Sequence, residues 1–131
     1  MMQKPEDMTL NRPAVLADLT ACFDTYETAL LENDTQVLAA MFLEGSETIR
    51  YGVADHQYGS DALRAFRATQ KPFSRSLIET RITTYGDSFG IASTLFRRDD
   101  SPGELGRQMQ SWIRTPDGWR IVAAHVSSIP G

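Results

Sequence analysis

The chain has 131 residues, of which 41% are hydrophobic and 23% are charged, and it carries a net charge of −4 at pH 7. This size and composition are typical of one compact domain, and the acidic balance argues against nucleic acid as a partner. No apolar run approaches the length of a membrane span, and residues 1–9 lack the apolar core of a signal peptide, so we expect a cytoplasmic protein without membrane contact.

Few side chains could hold a metal or a covalent crosslink. Cys22 is the only cysteine and the chain has two histidines, so we expect no internal disulfide and no metal. Cys22 lies on the same predicted helix face as apolar residues. A thiol nucleophile is conceivable there, but a small core side chain is the simpler interpretation.

The first part of the chain predicts a lead-in and two helices. Residues 1–12 are polar and predict a flexible N-terminal lead-in, followed by a single domain over 13–131. From Pro13, apolar residues at steps of three and four predict a helix with one buried stripe, formed by Leu16, Leu19, Phe23, Tyr26 and Leu30. Asn33 would end this helix, and Asp34 can cap a second short helix.

Two short strands and a third helix follow in the predicted order. Residues 47–51 and 55–58 read as strands that carry Arg50 and His56. Ser60 is a suitable N-cap for a helix through about residue 69, with Arg67 at the margin of its inner face.

The second half predicts a long meander of strands. Residues 75–85, 89–98, 106–115 and 119–128 alternate in the strand pattern, and Gly, Pro and Asp residues mark the turns between them. Helices first and strands last predict an α+β fold. We expect about three N-terminal helices packed into a curved, mixed or antiparallel sheet, forming a cone around a pocket.

The last hairpin predicts which residues line that pocket. A tight turn at residues 115–118 would place Trp112 opposite Ile121, Gln110 opposite Ala123 and Gln108 opposite His125. The two glutamines and His125 would then share the pocket face. The other face is also apolar, which predicts a homodimer through that outer face, with Met109, Ile113, Val122 and Val126 on it.

Several segments resemble one family. They are GRQMQSWIRTPDGWRIVAAHVS at 106–127, FRRDDSPG at 96–103, IRYG at 49–52 and AFR at 65–67. They resemble the AtzH-like proteins, which include the oxalurate catabolism protein HpxZ, within the SnoaL-like and ketosteroid-isomerase-like superfamily. The resemblance extends from about residue 13 to the end. It implies a cone-shaped dimer encoded among genes for nitrogen-rich heterocycle or ureide breakdown.

The resemblance also implies an activity, namely a cofactor-free decarboxylating amidohydrolase that acts on a carboxylated urea. By similarity, its functional Tyr and Arg fall on Tyr26 and Arg50. A guanidinium at Arg50 can bind a carboxylate through two parallel hydrogen bonds, and the Tyr26 phenol can donate a proton as charge develops. We expect Arg67, Gln108, Gln110 and His125 to bind and orient the substrate.

Simpler interpretations stay open for each of these residues. Tyr26 could be a packed core residue, Arg50 and Arg67 could be ion-paired at the surface, and His125 could have a structural hydrogen bond. The same fold also serves proteins without catalytic activity, so a small-anion-binding or accessory protein is the alternative function.

Overall fold

Three helices pack against a six-stranded mixed sheet in the computed structural model of this chain, which describes residues 7–131. The helices are α1 (Pro13–Glu32), α2 (Thr35–Met41) and α3 (Ser60–Arg67). The strands are β1 (Ile49–Tyr51), β2 (His56–Tyr58), β3 (Arg75–Tyr85), β4 (Phe89–Arg98), β5 (Glu104–Thr115) and β6 (Gly118–Pro130). Their order in the sheet is β2-β1-β6-β5-β4-β3, with β1 parallel to β6 and every other pair antiparallel.

The first two helices form where the residue pattern places them. Pro13 occupies the first turn of α1, where its missing N–H costs no helical hydrogen bond. Asn33 ends α1 in the left-handed conformation with φ at 53°. The Asp34 side chain then accepts a hydrogen bond from the Val37 amide at 3.3 Å, so the predicted cap of α2 is confirmed.

The start of α3 differs from the prediction. Gly59, with φ at 89°, occupies the N-cap position, and Ser60 is the first helical residue. The Ser60 hydroxyl instead accepts a hydrogen bond from the Gly45 amide at 2.9 Å. A glycine adopts this positive φ without the strain that a side chain would bring, so the loop can turn sharply into the helix. The helix ends at Arg67, two residues earlier than expected.

The core lies between α1 and the inner sheet face. Its fully buried side chains include Leu19 and Phe23 from α1 and Trp112 and Ile121 from the sheet. Gly90 allows α1 to lie close to β4, since a Cβ at that position would fall 2.3 Å from the Leu19 Cδ2 atom. The buried stripe of α1 faces the sheet, and this orientation turns Tyr26 inward.

The last hairpin has a different register from the predicted one. Trp112 lies opposite Ile121 as expected, but the register shifts between Ser111 and Trp112, and Ser111 pairs with Ala123. Val122 is thus the extra residue of a β-bulge, which reverses the inner and outer faces of β6 beyond it. Gln110 therefore pairs with Ala124 and Gln108 with Val126. His125 pairs with Met109 instead.

The predicted lead-in lies only partly within the described residues. Residues 1–6 are outside them. Farther along, Leu10 forms a β-bridge with Tyr85, and the Asn11 amide donates to the Thr84 carbonyl at 3.0 Å. The Asn11 side chain also accepts from the Thr84 amide at 2.9 Å, so this part of the segment is tied to the end of β3. Within residues 7–131, no helix combines the length and apolarity that crossing a membrane requires.

Candidate functional site

A cavity of about 560 Å³ lies against the inner face of the sheet. Residues of α1, α3 and five of the six strands line its wall. Five of the six predicted site residues line it together, namely Tyr26, Arg50, Arg67, Gln108 and Gln110. The sequence prediction therefore identified one shared pocket, with His125 as the exception.

Tyr26 is held rigidly at the cavity wall. Its ring meets the rings of Phe42 and Trp112 edge-on, at centroid distances of 6.3 and 6.5 Å. Its hydroxyl oxygen accepts a hydrogen bond from the Arg67 Nη2 atom at 3.3 Å. The residue is thus both packed in the core and connected to a charged group, so its packing role is confirmed and its catalytic role stays a prediction.

Arg67 is a buried cation. The residue is 7% exposed, and burial lowers the pKa of its guanidinium, with the charge of Arg50 acting in the same direction. Among residues 7–131, no carboxylate forms an ion pair with it, and its Nε atom has no hydrogen-bond partner. A guanidinium stays charged at neutral pH even with a lowered pKa, so Arg67 offers the cavity a positive charge that the more distant Asp55 carboxylate offsets only in part.

Arg50 is already partnered. Its Nη1 atom donates to Asp55 Oδ1 at 2.6 Å and to Gln57 Oε1 at 3.0 Å. Burial acts to raise the pKa of Asp55, but hydrogen bonds from Gln57 and Arg50 and the nearby positive charges lower it below its ordinary value. Asp55 is therefore ionised at neutral pH. It offsets the charge of Arg50, whose Nη2 and Nε atoms remain as the donors for a ligand.

The Phe66 ring contacts both cationic groups. Its ring centroid is 4.6 Å from the Arg50 guanidinium carbon and 5.5 Å from that of Arg67. Cation-π contact stabilises both guanidiniums where little water reaches them. The two positive side chains are consequently held on the same side of the cavity.

The two glutamines are oriented by neighbours that the sequence prediction missed. Gln108 Oε1 accepts from Arg75 Nη2 at 3.0 Å, and Gln110 Oε1 accepts from Trp112 Nε1 at 3.1 Å. Arg75 in turn donates to both carboxylate oxygens of Glu27, at 3.0 and 2.6 Å. Strand alternation places Arg75 on the inner face with Leu77, and this was the signal that could have identified it.

His125 does not lie in the cavity. It projects from the opposite face of the sheet, 6.0 Å from the Tyr51 ring, into an outer groove of about 520 Å³ that Met109 also lines. The predicted pocket role of His125 is therefore wrong, and the β-bulge at Val122 is the reason. Val126, which was predicted on the outer face, lines the cavity instead.

Metal-binding and thiol chemistry find little support in the described part of the chain. There, no three His, Cys, Asp or Glu side chains are grouped closely enough to hold a metal ion. Cys22 is half-buried against the core, and burial together with the charge of Asp18 raises the pKa of its thiol. A raised pKa disfavours the reactive thiolate, which agrees with the interpretation of Cys22 as a packing residue.

Comparisons with known proteins place this site in a family context. The AtzH-like family model matches residues 8–131. A protein of unknown function from the DUF3225 family of Pectobacterium atrosepticum SCRI1043 shares 46% sequence identity, with 93% of this chain and 98% of that chain covered and a TM-score of 0.89. A cystatin-like fold protein from Burkholderia xenovorans LB400 also shares 46% identity, with 95% and 98% covered and a TM-score of 0.91.

More distant structures share the fold alone. A ketosteroid isomerase-like protein from Erwinia carotovora atroseptica SCRI1043 is 13% identical, with 91% of this chain and 99% of that chain covered and a TM-score of 0.68. No curated protein matches the sequence. These similarities confirm the AtzH-like resemblance and the cone-shaped α+β fold.

Proposed function

This chain belongs to the AtzH-like family, and we propose that it is a cofactor-free, decarboxylating amidohydrolase acting on a small carboxylated urea or an oxalurate-like compound. The observation that carries the proposal is the hydrogen bond between the Tyr26 hydroxyl and the buried Arg67 guanidinium, which has no ion-paired carboxylate among the described residues, at the cavity wall. It combines a proton donor with an anion-binding group within one small cavity.

Substrate binding follows from the charges around the cavity. Arg67 has no carboxylate partner among the described residues, so a ligand carboxylate would supply the missing negative charge. Arg50 lies across Phe66 and can donate through its remaining nitrogens. The structure therefore favours Arg67 over Arg50 as the first contact of the anion, with Arg50 as the second.

For a urea that carries a carboxyl group on nitrogen, the chemistry needs one positioned proton, and water that hydrates the released CO₂ to bicarbonate makes the net reaction a hydrolysis. When the C–N bond between a urea nitrogen and its carboxyl group breaks, CO₂ leaves and the electron pair stays on nitrogen. Tyr26 donates its hydroxyl proton to that nitrogen, and solvent returns a proton to the phenolate. Arg67 donates to the Tyr26 oxygen and so stabilises the phenolate while it exists.

A second function is favoured by a different observation. The carboxylate of Asp55 is occupied by Arg50 and Gln57, so it is poorly placed to activate a water molecule. Asp100 and Glu104, the other described carboxylates of the cavity, also accept hydrogen bonds. A reaction that requires water activation, such as cleavage of oxalurate to oxalate and urea, therefore has no carboxylate free of hydrogen bonds to serve as its general base. The alternative is a non-catalytic protein that binds small anions for a partner enzyme in the same pathway.

The experiment that tests the proposal measures CO₂ release from carboxylated ureas, and oxalate and urea formation from oxalurate. We expect Tyr26→Phe to lower kcat by about 10²-fold to 10⁴-fold, because the proton donor is lost while the ring is kept. Arg50→Ala should lower kcat/KM by roughly tenfold or more. Tyr85→Phe and Arg64→Ala, which alter side chains outside the cavity lining, are the matched controls.

The outcomes separate the two functions. Turnover that is lost in both cavity variants and kept in both controls would support the amidohydrolase. Binding of a carboxylate by the wild type without any turnover would support the accessory protein instead. The family resemblance to HpxZ is the reason for including oxalurate among the substrates.

We also propose that the protein is a cytoplasmic homodimer that associates through its outer sheet face. Large side chains lie exposed on this face, among them Met109 with 55% of its surface accessible, Tyr51 and Tyr58. Tyr51 also contacts the rings of His56, Tyr58 and His125. Exposed apolar and aromatic clusters of this kind are typical of interfaces between subunits.

A further inference from the structure

We propose that Gln108 and Gln110 determine which ligands the cavity accepts, because a buried donor holds the oxygen of each amide while the amide N–H groups have no partner among the described residues. The donor cluster of Tyr26, Arg67, Gln108 and Gln110 would then select ligand atoms that accept hydrogen bonds, and would reject ligands that bring their own N–H groups to this position. The inference rests on the proposed binding of a small anion in the cavity. It adds the groups that distinguish a carboxylate from a carboxamide.

The orientation of Gln110 follows from its partner. Its Oε1 atom lies 3.1 Å from the Trp112 Nε1 atom, and an indole N–H can donate a hydrogen bond but cannot accept one. The reversed amide would place its NH₂ group against another N–H. Trp112 is fully buried and Gln110 is 1% exposed, so neither side chain can turn to water to escape that clash.

Gln108 is fixed in the same way by a different group. Its Oε1 atom lies 3.0 Å from Arg75 Nη2, and a guanidinium is also a donor without acceptor capacity. Arg75 is immobilised by two hydrogen bonds to Glu27 and by the Phe96 ring, 4.4 Å from its guanidinium carbon. Glu27 and Arg75 are thus positioning residues that set the polarity of the Gln108 amide.

The same reasoning extends to the other two members of the cluster. Arg67 can only donate, so the Tyr26 oxygen must accept in their hydrogen bond, and the Tyr26 proton is left to be donated. The amide nitrogens of both glutamines and the Nε atom of Arg67 are buried and have no hydrogen-bond partner among the described residues. Buried donors without partners are rare in native proteins, and their presence beside one cavity points to a ligand that accepts hydrogen bonds.

A carboxylate satisfies such a cluster, whereas a primary amide brings an NH₂ group against fixed N–H groups. One mispaired buried hydrogen bond corresponds to roughly a tenfold loss of affinity or more. Charge alone also favours a carboxylate over its amide next to Arg67. The test therefore has to change the amide polarity while all charges are kept.

The test compares the binding of matched ligand pairs by calorimetry: oxalate with oxamate, malonate with malonamate, succinate with succinamate, and oxalurate with its amide. The wild type is expected to bind the carboxylate of a pair at least about tenfold more tightly. Trp112→Phe removes the group that fixes Gln110, which can then reverse and accept from an amide. Amide affinity should rise about tenfold in this variant, while carboxylate affinity stays near the wild-type value.

Gln110→Met is the second variant, and it removes the amide donor, together with the acceptor of the Trp112 indole, without altering any charge. Here carboxylate affinity should fall about tenfold, while amide affinity changes little. Gln36→Met, which alters an exposed residue of α2, is the control. Far-ultraviolet circular dichroism establishes that each variant is folded.

The possible results separate this inference from the proposed function. The inference is supported if the preference for carboxylate over amide decreases in both variants. In Trp112→Phe the decrease should come from tighter amide binding, and in Gln110→Met from weaker carboxylate binding. If the wild type binds carboxylates and both variants keep its ratio of carboxylate to amide affinity, the inference is wrong, whereas the proposed anion binding stands. A wild type that binds no member of any pair would overturn both.

Discussion

At the scale of single residues, Gly52 leaves space for the ion pair between Arg50 and Asp55. A Cβ at this position would fall 2.7 Å from both carboxylate oxygens of Asp55 and 2.8 Å from the Arg50 Nη1 atom. Contacts this short cannot persist, so an added methyl group must push the two side chains away. Glycine thus leaves room for the ion pair in its present geometry, and the flexible ends of both side chains would shift to admit a methyl group.

We therefore predict that Gly52→Ala weakens carboxylate binding and lowers kcat/KM by about tenfold, because the Arg50 guanidinium leaves its position. The free energy of unfolding should change by less than about 1 kcal/mol, since the side chain of Asp55 is partly exposed and solvent screens the pair. Steady-state kinetics and urea unfolding measure the two effects.

Gly103→Ala is the matched control for this substitution, because no atom lies within 4 Å of a Cβ built there. Wild-type kinetics in Gly52→Ala would show that the ion pair tolerates the methyl group. The proposed contribution of the Arg50 position to substrate binding would then be wrong.

The sequence predicted the inward side chains of the site better than the network that holds them. Tyr26 lies on an apolar stripe of regular spacing, so helix periodicity alone turned it toward the core. Glu27 and Arg75 belong to residue types that are mostly exposed, and nothing in the local sequence indicates that they meet across 48 positions of chain. Arg67 could be placed at the margin of a helix face, but its burial depends on the sheet that covers it.

At the scale of secondary structure elements, contact between α1 and β4 positions the tyrosine. Gly90 lies under Leu19, and a Cβ there would also come within 3.1 Å of the Thr83 carbonyl oxygen. Tyr26 follows Leu19 by two helical turns on the same face. A change in the separation of helix and strand therefore reaches the Tyr26 hydroxyl.

Gly90→Ala should destabilise the protein by about 1 to 3 kcal/mol, because overpacking forces α1 away from the sheet. Chemical denaturation measures this loss. In a double variant that also carries Leu19→Ala, the smaller side chain leaves room for the new methyl group, so the combined loss should be smaller than the sum of the two single losses. Strictly additive losses would contradict the proposed contact.

The β-bulge in the last hairpin is the feature of the strands that the sequence did not predict. Strand boundaries follow from alternation and turn residues, and those of β3 and β4 were predicted correctly. A tight turn fixes the register only as far as the first irregularity. Val122 is one of several consecutive apolar residues, so no polar residue marks it as the extra one, and the pairing of Gln110 and His125 was missed.

At the scale of the whole molecule, the two faces of the sheet have different roles. The inner face carries the cavity under the helices, whereas the outer face exposes Met109 beside the aromatic rings around Tyr51. Both faces of a long, largely apolar strand pair need cover, and the helices supply it for one of them. A second copy of the chain would cover the other in a symmetric arrangement.

We predict that Met109→Glu halves the molar mass measured by light scattering after gel filtration, because two carboxylates would face each other near the centre of the interface. Ala40→Glu adds the same charge to an exposed position on α2 and should leave the mass at the dimer value. A Met109→Glu protein that keeps its dimer mass would place the interface elsewhere. A wild type of monomer mass at every concentration would exclude the dimer itself. Since the cavity is lined by one chain, we expect the monomeric variant to retain carboxylate binding, which calorimetry measures.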